Sequence, residues 1–154
     1  MYVAAVALLM LVLPLASVAG ELLAQGPGAG LVQIVTRWFV FWGVGARLFI
    51  AGLRQILQPR FTAHTILGLK SEESFVVVRE LGFANVALGA VGLASLMARE
   101  WVLAAALSGA IFYSLAGLNH ARQPVHGLHE RVAMVSDLLL GALLALVCLH
   151  SLLG

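Results

Sequence analysis

The chain has 154 residues, of which 62% are hydrophobic and only 10% charged, and a mean hydropathy of +1.02; ordinary soluble domains carry about a quarter charged residues. That composition excludes a soluble globular domain and predicts an all-α integral membrane bundle, with residues 1–154 forming one transmembrane helical domain, because no polar stretch is long enough for a second. The formal charge of +2 is small and its basic residues are scattered, which excludes a nucleic-acid partner, and the single Cys148 supplies no disulfide framework, C-x-x-C pair or zinc spacing.

Five apolar segments approach the ~20 residues that cross about 30 Å of hydrocarbon. The first, Tyr2 to Leu23, contains Pro14 and is read as a retained helix with a kink that its neighbours accommodate. A cleaved signal peptide is the rival reading, since Ala16-Ser17-Val18-Ala19-Gly20 has the small residues of a cleavage site, but no positive charge precedes the apolar run. Glycine and proline in Gln25-Gly26-Pro27-Gly28-Ala29-Gly30 predict a turn. The second helix runs from Leu31 to Leu57, with Trp38 near one end as an interfacial anchor and Trp42 packing inside. Arg47 and Arg54 share a face of this helix; Arg54 reaches water, and Arg47 lies deeper.

Gln58 to Ser74 is the longest polar stretch, yet its Phe61, Ile66, Leu67 and Leu69 predict a short interfacial helix closed by Gly68. On the third helix, Phe75 to Ala98, the positions Gly82, Asn85, Gly89 and Gly92 make a narrow face of small residues that lets another helix approach, with Asn85 placed to hydrogen-bond across the contact. Arg99-Glu100 predicts a tight turn into an antiparallel fourth helix, Trp101 to Ala121, whose Gly109, Tyr113, Gly117 and His120 share one face. After the loop Arg122 to Glu130, with His126 and His129, the fifth helix extends from Arg131 to Leu153 and carries Ser136, Asp137 and Gly141.

Arg54, Arg60, Lys70, Arg79, Arg122 and Arg131 fall on one side of this arrangement, against Arg99 and at most Arg37 on the other. The positive-inside bias therefore places the N-terminus in the cytoplasm and the C-terminus outside. Counted from the cytoplasmic helix ends, Arg47 lies roughly 10 Å deep, Glu80 roughly 8 Å, Asp137 roughly 9 Å and His120 roughly 5 Å. A charge inside hydrocarbon costs at least ~2.5 to 3.5 kcal/mol unless partnered, so these four residues are expected to meet in one intramembrane polar cluster, lined by Tyr113, Asn85 and Asn119. Two readings of the cluster compete: an ion-pair network that fixes helix order, and a polar cavity that binds a ligand. The spacing H-x5-H-x2-H-E, from His120 through His126 and His129 to Glu130, matches no defined metal motif, and no metal is expected.

Through R-W-F-V-F-W-G-V-G-A-R-L, Q-P-R-F-T-A, R-E-L-G-F-A-N, F-Y-S-L-A-G-L-N-H and E-R-V-A-M-V-S-D-L, the sequence resembles a family of small, uncharacterised bacterial multi-pass membrane proteins. More distantly it resembles the DoxX-like four-helix proteins, in which an arginine-bearing helix with glycines precedes a helix opening with a glutamate; the N-terminal helix here departs from that pattern. The DoxX-like resemblance implies a membrane setting with redox or quinone-associated partners, and the setting expected is a bacterial inner membrane. Neither resemblance supplies catalytic residues or a cofactor. The expected function is that of a lipid- or small-ligand-binding or accessory membrane protein, in which Arg47 neutralises the carboxylates and binds an anionic group, Glu80 and Asp137 orient it, and His120 gates or relays protons. The alternatives are an enzyme acting on a lipid, quinone or other hydrophobic substrate by carboxylate and histidine acid-base chemistry, and a proton-linked transporter working as an oligomer. Membrane lipids, a lipid or quinone ligand, further copies of the chain and a second membrane subunit are the partners compatible with this reading.

Overall fold

The computed structural model describes residues 2–26, 30–122 and 127–153, and among these there are helices and turns but no strand. Five helices are long and apolar enough to cross a membrane: α1 (Tyr2–Gln25), α2 (Leu31–Leu57), α3 (Ser74–Ala94), α4 (Arg99–Ala121) and α5 (Leu128–Leu153). The expected all-α bundle is therefore present. α3 stops at Ala94 rather than Ala98 because the chain turns at Ser95, whose buried hydroxyl donates to the Gly92 carbonyl at 2.7 Å.

Two of the helices are locally widened into π geometry. In α1 the wide turn is Leu8–Val12, just ahead of Pro14, whose ring would crowd the carbonyl four residues back in a regular α-helix. In α2 it is Val40–Ala46, which contains Gly43 and Gly45 and leads directly into Arg47. A further short π turn, Phe61–Ile66, stands where the short interfacial helix is expected and ends at Gly68, whose φ of +66° is a conformation that glycine adopts without strain.

α2 packs closely against α3, and α4 against α5. The two pairs meet around Val40, Val44 and Leu48 of α2, Ala106, Ala110 and Tyr113 of α4, and Leu140 and Leu144 of α5. The small-residue face expected on α3 is buried as a unit, through Val78, Gly82, Asn85, Gly89 and Gly92. It faces α2: a Cβ built on Gly92 would stand 2.6 Å from the Gly45 nitrogen, so these two backbones touch with no room for a side chain.

α1 lines one side of this core and contributes to it. Val6 and Met10 are buried in the core cluster, Trp42 of α2 donates to Ser17 at 3.0 Å, and Trp38 donates to Glu21 at 2.6 Å. Glu21 also pairs with Arg37 and accepts a hydrogen bond from Gln25. Trp38 thus has a specific acceptor where an interfacial anchor is expected, and Trp42, expected to pack inside, is half-buried with its indole donating to Ser17 of α1.

Candidate functional site

Arg47 enters the bundle at the end of the widened turn of α2, and its side chain is 11% exposed. A guanidinium enclosed among helices keeps its proton, so the fold must supply acceptors. Asp137 of α5 supplies the first: its Oδ1 lies 2.6 Å from Arg47 Nη2. Nη2 also donates to the Ser136 hydroxyl at 2.9 Å, while Nη1 donates to the Met10 sulfur at 3.0 Å. The Tyr113 ring lies beneath the guanidinium, 4.9 Å from Cζ to the ring centroid, and its hydroxyl donates to the Gly43 carbonyl at 2.6 Å. One arginine is therefore held by α1, α4 and α5 together.

A cavity of about 230 Å³ opens beside this pair. Arg47, Tyr113, His120 and Asp137 line it, together with Asn85 and Gln55 and, from α1 and the short turn, Tyr2, Phe61 and Thr62. Asn85 donates through Nδ2 to Gln55 Oε1 at 2.8 Å, but its Oδ1 is buried and has no hydrogen-bond partner among the described residues. A buried acceptor normally has a partner, and the residue that carries this unmatched one also lines the cavity. At the outer side His120 Nδ1 lies 3.7 Å from Glu130 Oε1.

Three of the four residues expected to form the polar cluster, Arg47, His120 and Asp137, line one cavity together with Tyr113 and Asn85. Glu80 is not brought to them. It is exposed, as is Arg79, and has no hydrogen-bond or ion-pair partner among the described residues. The reason is helical phase: Glu80 is two residues from buried Val78, about 200° around an α-helix, so it points away from the face that Gly82 and Asn85 bury. Asn119 is likewise exposed, about 100° from His120. Equal depth placed these two in the layer, and phase removes them.

Gln55, Met10 and Ser136 were not among the expected site residues. Gln55 had a usable signal, since it lies seven residues after buried Leu48 and so on the same helical face. Met10 had none, being one apolar residue in an apolar run. Among the described residues no group of three histidine, cysteine, aspartate or glutamate side chains lies close enough to share a metal ion. Of the histidine spacing, His126 lies outside the described residues, and the His129 ring packs edge-on against Tyr2 at 5.4 Å.

Replacing Tyr113 with phenylalanine keeps the ring under Arg47 but leaves the Gly43 carbonyl without its donor. The expected cost is about 1 to 2 kcal/mol, read as lowered unfolding free energy in bicelles; an unchanged value would mean that another group takes up the carbonyl.

A model described as a family of unknown function, DUF6790, matches residues 4–153, and the chain belongs to that family. No curated protein and no solved structure matches it.

Proposed function

We propose that this member of the DUF6790 family is a multi-pass protein of a bacterial inner membrane, with the N-terminus cytoplasmic and the C-terminus outside, that binds a small polar ligand or lipid headgroup in the cavity beside Arg47. The observation that carries this reading is the cavity of about 230 Å³ that both members of the Arg47–Asp137 pair line together with Asn85, whose buried Oδ1 has no hydrogen-bond partner among the described residues. An ion-pair network serving only to fix helix order would need no void next to it.

The charges narrow the ligand class. Arg47 and Asp137 cancel, and Glu80 contributes no second carboxylate. A full anion placed against Arg47 would also meet the Asp137 carboxylate, so a neutral or zwitterionic group fits better than the anionic group expected from sequence. It needs an oxygen acceptor for Arg47, whose Nη1 is matched by a thioether among the described residues, and a donor for Asn85 Oδ1. A hydroxyl ester or an amide offers both.

Native mass spectrometry of the protein extracted gently from its own membrane tests the reading. A stoichiometric small molecule should be retained by the wild type and lost on Asn85→Leu, a variant that leaves the Arg47–Asp137 pair in place. Wild-type protein that is bare, or that always carries a second polypeptide instead, would move the function to an accessory role with the ion pair as architecture.

A further inference from the structure

The Arg47 cavity, at about 230 Å³, is smaller than the roughly 300 to 1,000 Å³ of sites that enclose a whole organic ligand. If it holds a headgroup, the remainder of the ligand must lie elsewhere. A second cavity, of about 580 Å³, runs along the outside of the bundle between α1 and α5, with Phe39 of α2 also in its wall. Apart from Arg131 at one end and Ser136, the residues lining it are apolar, Leu11, Val135 and Leu139 among them. From Arg131 to Leu143 it follows α5 for roughly 18 Å.

The two cavities are neighbours. Val6 lines both, and the groove-lining residues Met10 and Ser136 each accept a hydrogen bond from Arg47. The partition between groove and guanidinium is therefore one side chain thick. Met10 is suited to be the movable part of it. Its side chain is unbranched with flexible torsions, it sits in the widened turn of α1, and its sulfur is a weak acceptor that an oxygen would replace with gain.

From this continuity we infer that the groove between α1 and α5 holds the apolar chain of a single-chain amphiphile, whose neutral carbonyl-bearing head displaces Met10 from Arg47. The inference rests on the reading of the Arg47 cavity as a ligand site and adds the ligand's class and its lateral route from the bilayer. A carbonyl oxygen would take the Met10 position at Nη1, and a hydroxyl on the same head would reach toward Asn85.

The test uses the full chain in nanodiscs and a 1-monoacylglycerol with a diazirine near the end of its chain. Photolabelling is followed against probe concentration, and the labelled residues are mapped by peptide mass spectrometry. Labelling on Leu11, Val135 or Leu139 should saturate. The half-saturating concentration should rise at least tenfold for Leu139→Trp, which fills the groove from an exposed position, and for Asn85→Leu. The free fatty acid anion should compete at least tenfold more weakly than unlabelled monoacylglycerol. Saturable labelling that responds to Asn85→Leu but not to Leu139→Trp would overturn the groove while leaving the cavity as the binding site. Labelling of the groove that rises linearly and ignores both variants is ordinary lipid contact and would also overturn the inference. Saturable labelling that responds to Leu139→Trp alone would separate the groove from the Arg47 cavity and overturn the link between them.

Discussion

Asp137→Ala is expected to destabilise the bundle by about 3 to 5 kcal/mol, the usual cost of leaving one member of a buried pair behind. Arg47 cannot shed its proton, and without Asp137 its remaining partners among the described residues are the Ser136 hydroxyl, the Met10 sulfur and the Tyr113 ring. The reverse deletion should be milder. In Arg47→Leu the lone carboxyl group can take up a proton and stay buried as a neutral acid that still hydrogen-bonds Ser136. The double variant Arg47→Leu with Asp137→Leu should recover most of the loss, because it removes both charges from hydrocarbon. Unfolding free energies measured for all three in one bicelle system give the comparison. If Asp137→Ala proved no more harmful than Arg47→Leu, the guanidinium would have a partner beyond those described.

Gly92→Val should also be severe, for a different reason. α2 and α3 touch backbone to backbone here, and a Cβ on Gly92 would stand 2.7 Å from the Gly45 Cα, with no flexible side chain between them to give way. Overpacking of this kind costs roughly 1 to 3 kcal/mol, with the upper end expected where backbone meets backbone. The separation of α2 and α3 would also move Gln55 and Asn85 apart, breaking their 2.8 Å hydrogen bond and altering the cavity wall. Valine at Gly20, where a Cβ would meet nothing within 4 Å, is the control and should leave stability unchanged. Equal stability of the two variants would contradict the close approach of α2 and α3.

Much of this architecture is legible in the sequence, because hydrocarbon imposes few solutions: length and hydropathy mark the five helices, and the spacing of Gly82, Asn85, Gly89 and Gly92 marks the face of α3 that packs. The site was only partly legible, and the reason differs by residue. Depth along a helix follows from counting, so the common level of Arg47, His120 and Asp137 could be anticipated. Rotation about the helix axis decides which of the residues at one level meet, and there Glu80 failed although its neighbours Gly82 and Asn85 carried the phase needed to exclude it. Met10 lay beyond reach, since its role depends on where the widened turn of α1 settles against α2 and α5, a tertiary fact with no local signature.

The arrangement also explains how a charged pair is tolerated so deep in an apolar chain. Arg47 and Asp137 sit toward the interior of a bundle whose outward faces carry Leu107, Ile111 and Leu115 of α4 and Leu139 and Leu146 of α5. These outward residues are apolar while Arg47 and Asp137 satisfy each other within; on α3, Arg79 and Glu80 lie exposed in the first two turns. Among the cavity-lining residues, Asn85 keeps a buried oxygen with no hydrogen-bond partner among the described residues.

An experimental density map of the wild-type protein, purified from its own membrane without exchange into synthetic lipid, tests the central claim most directly. Ordered non-protein density is predicted in the cavity, within hydrogen-bonding distance of both Asn85 Oδ1 and the Arg47 guanidinium. A cavity closed by side-chain packing, or holding water alone with Asn85 satisfied by it, would contradict the assignment of this site to a ligand.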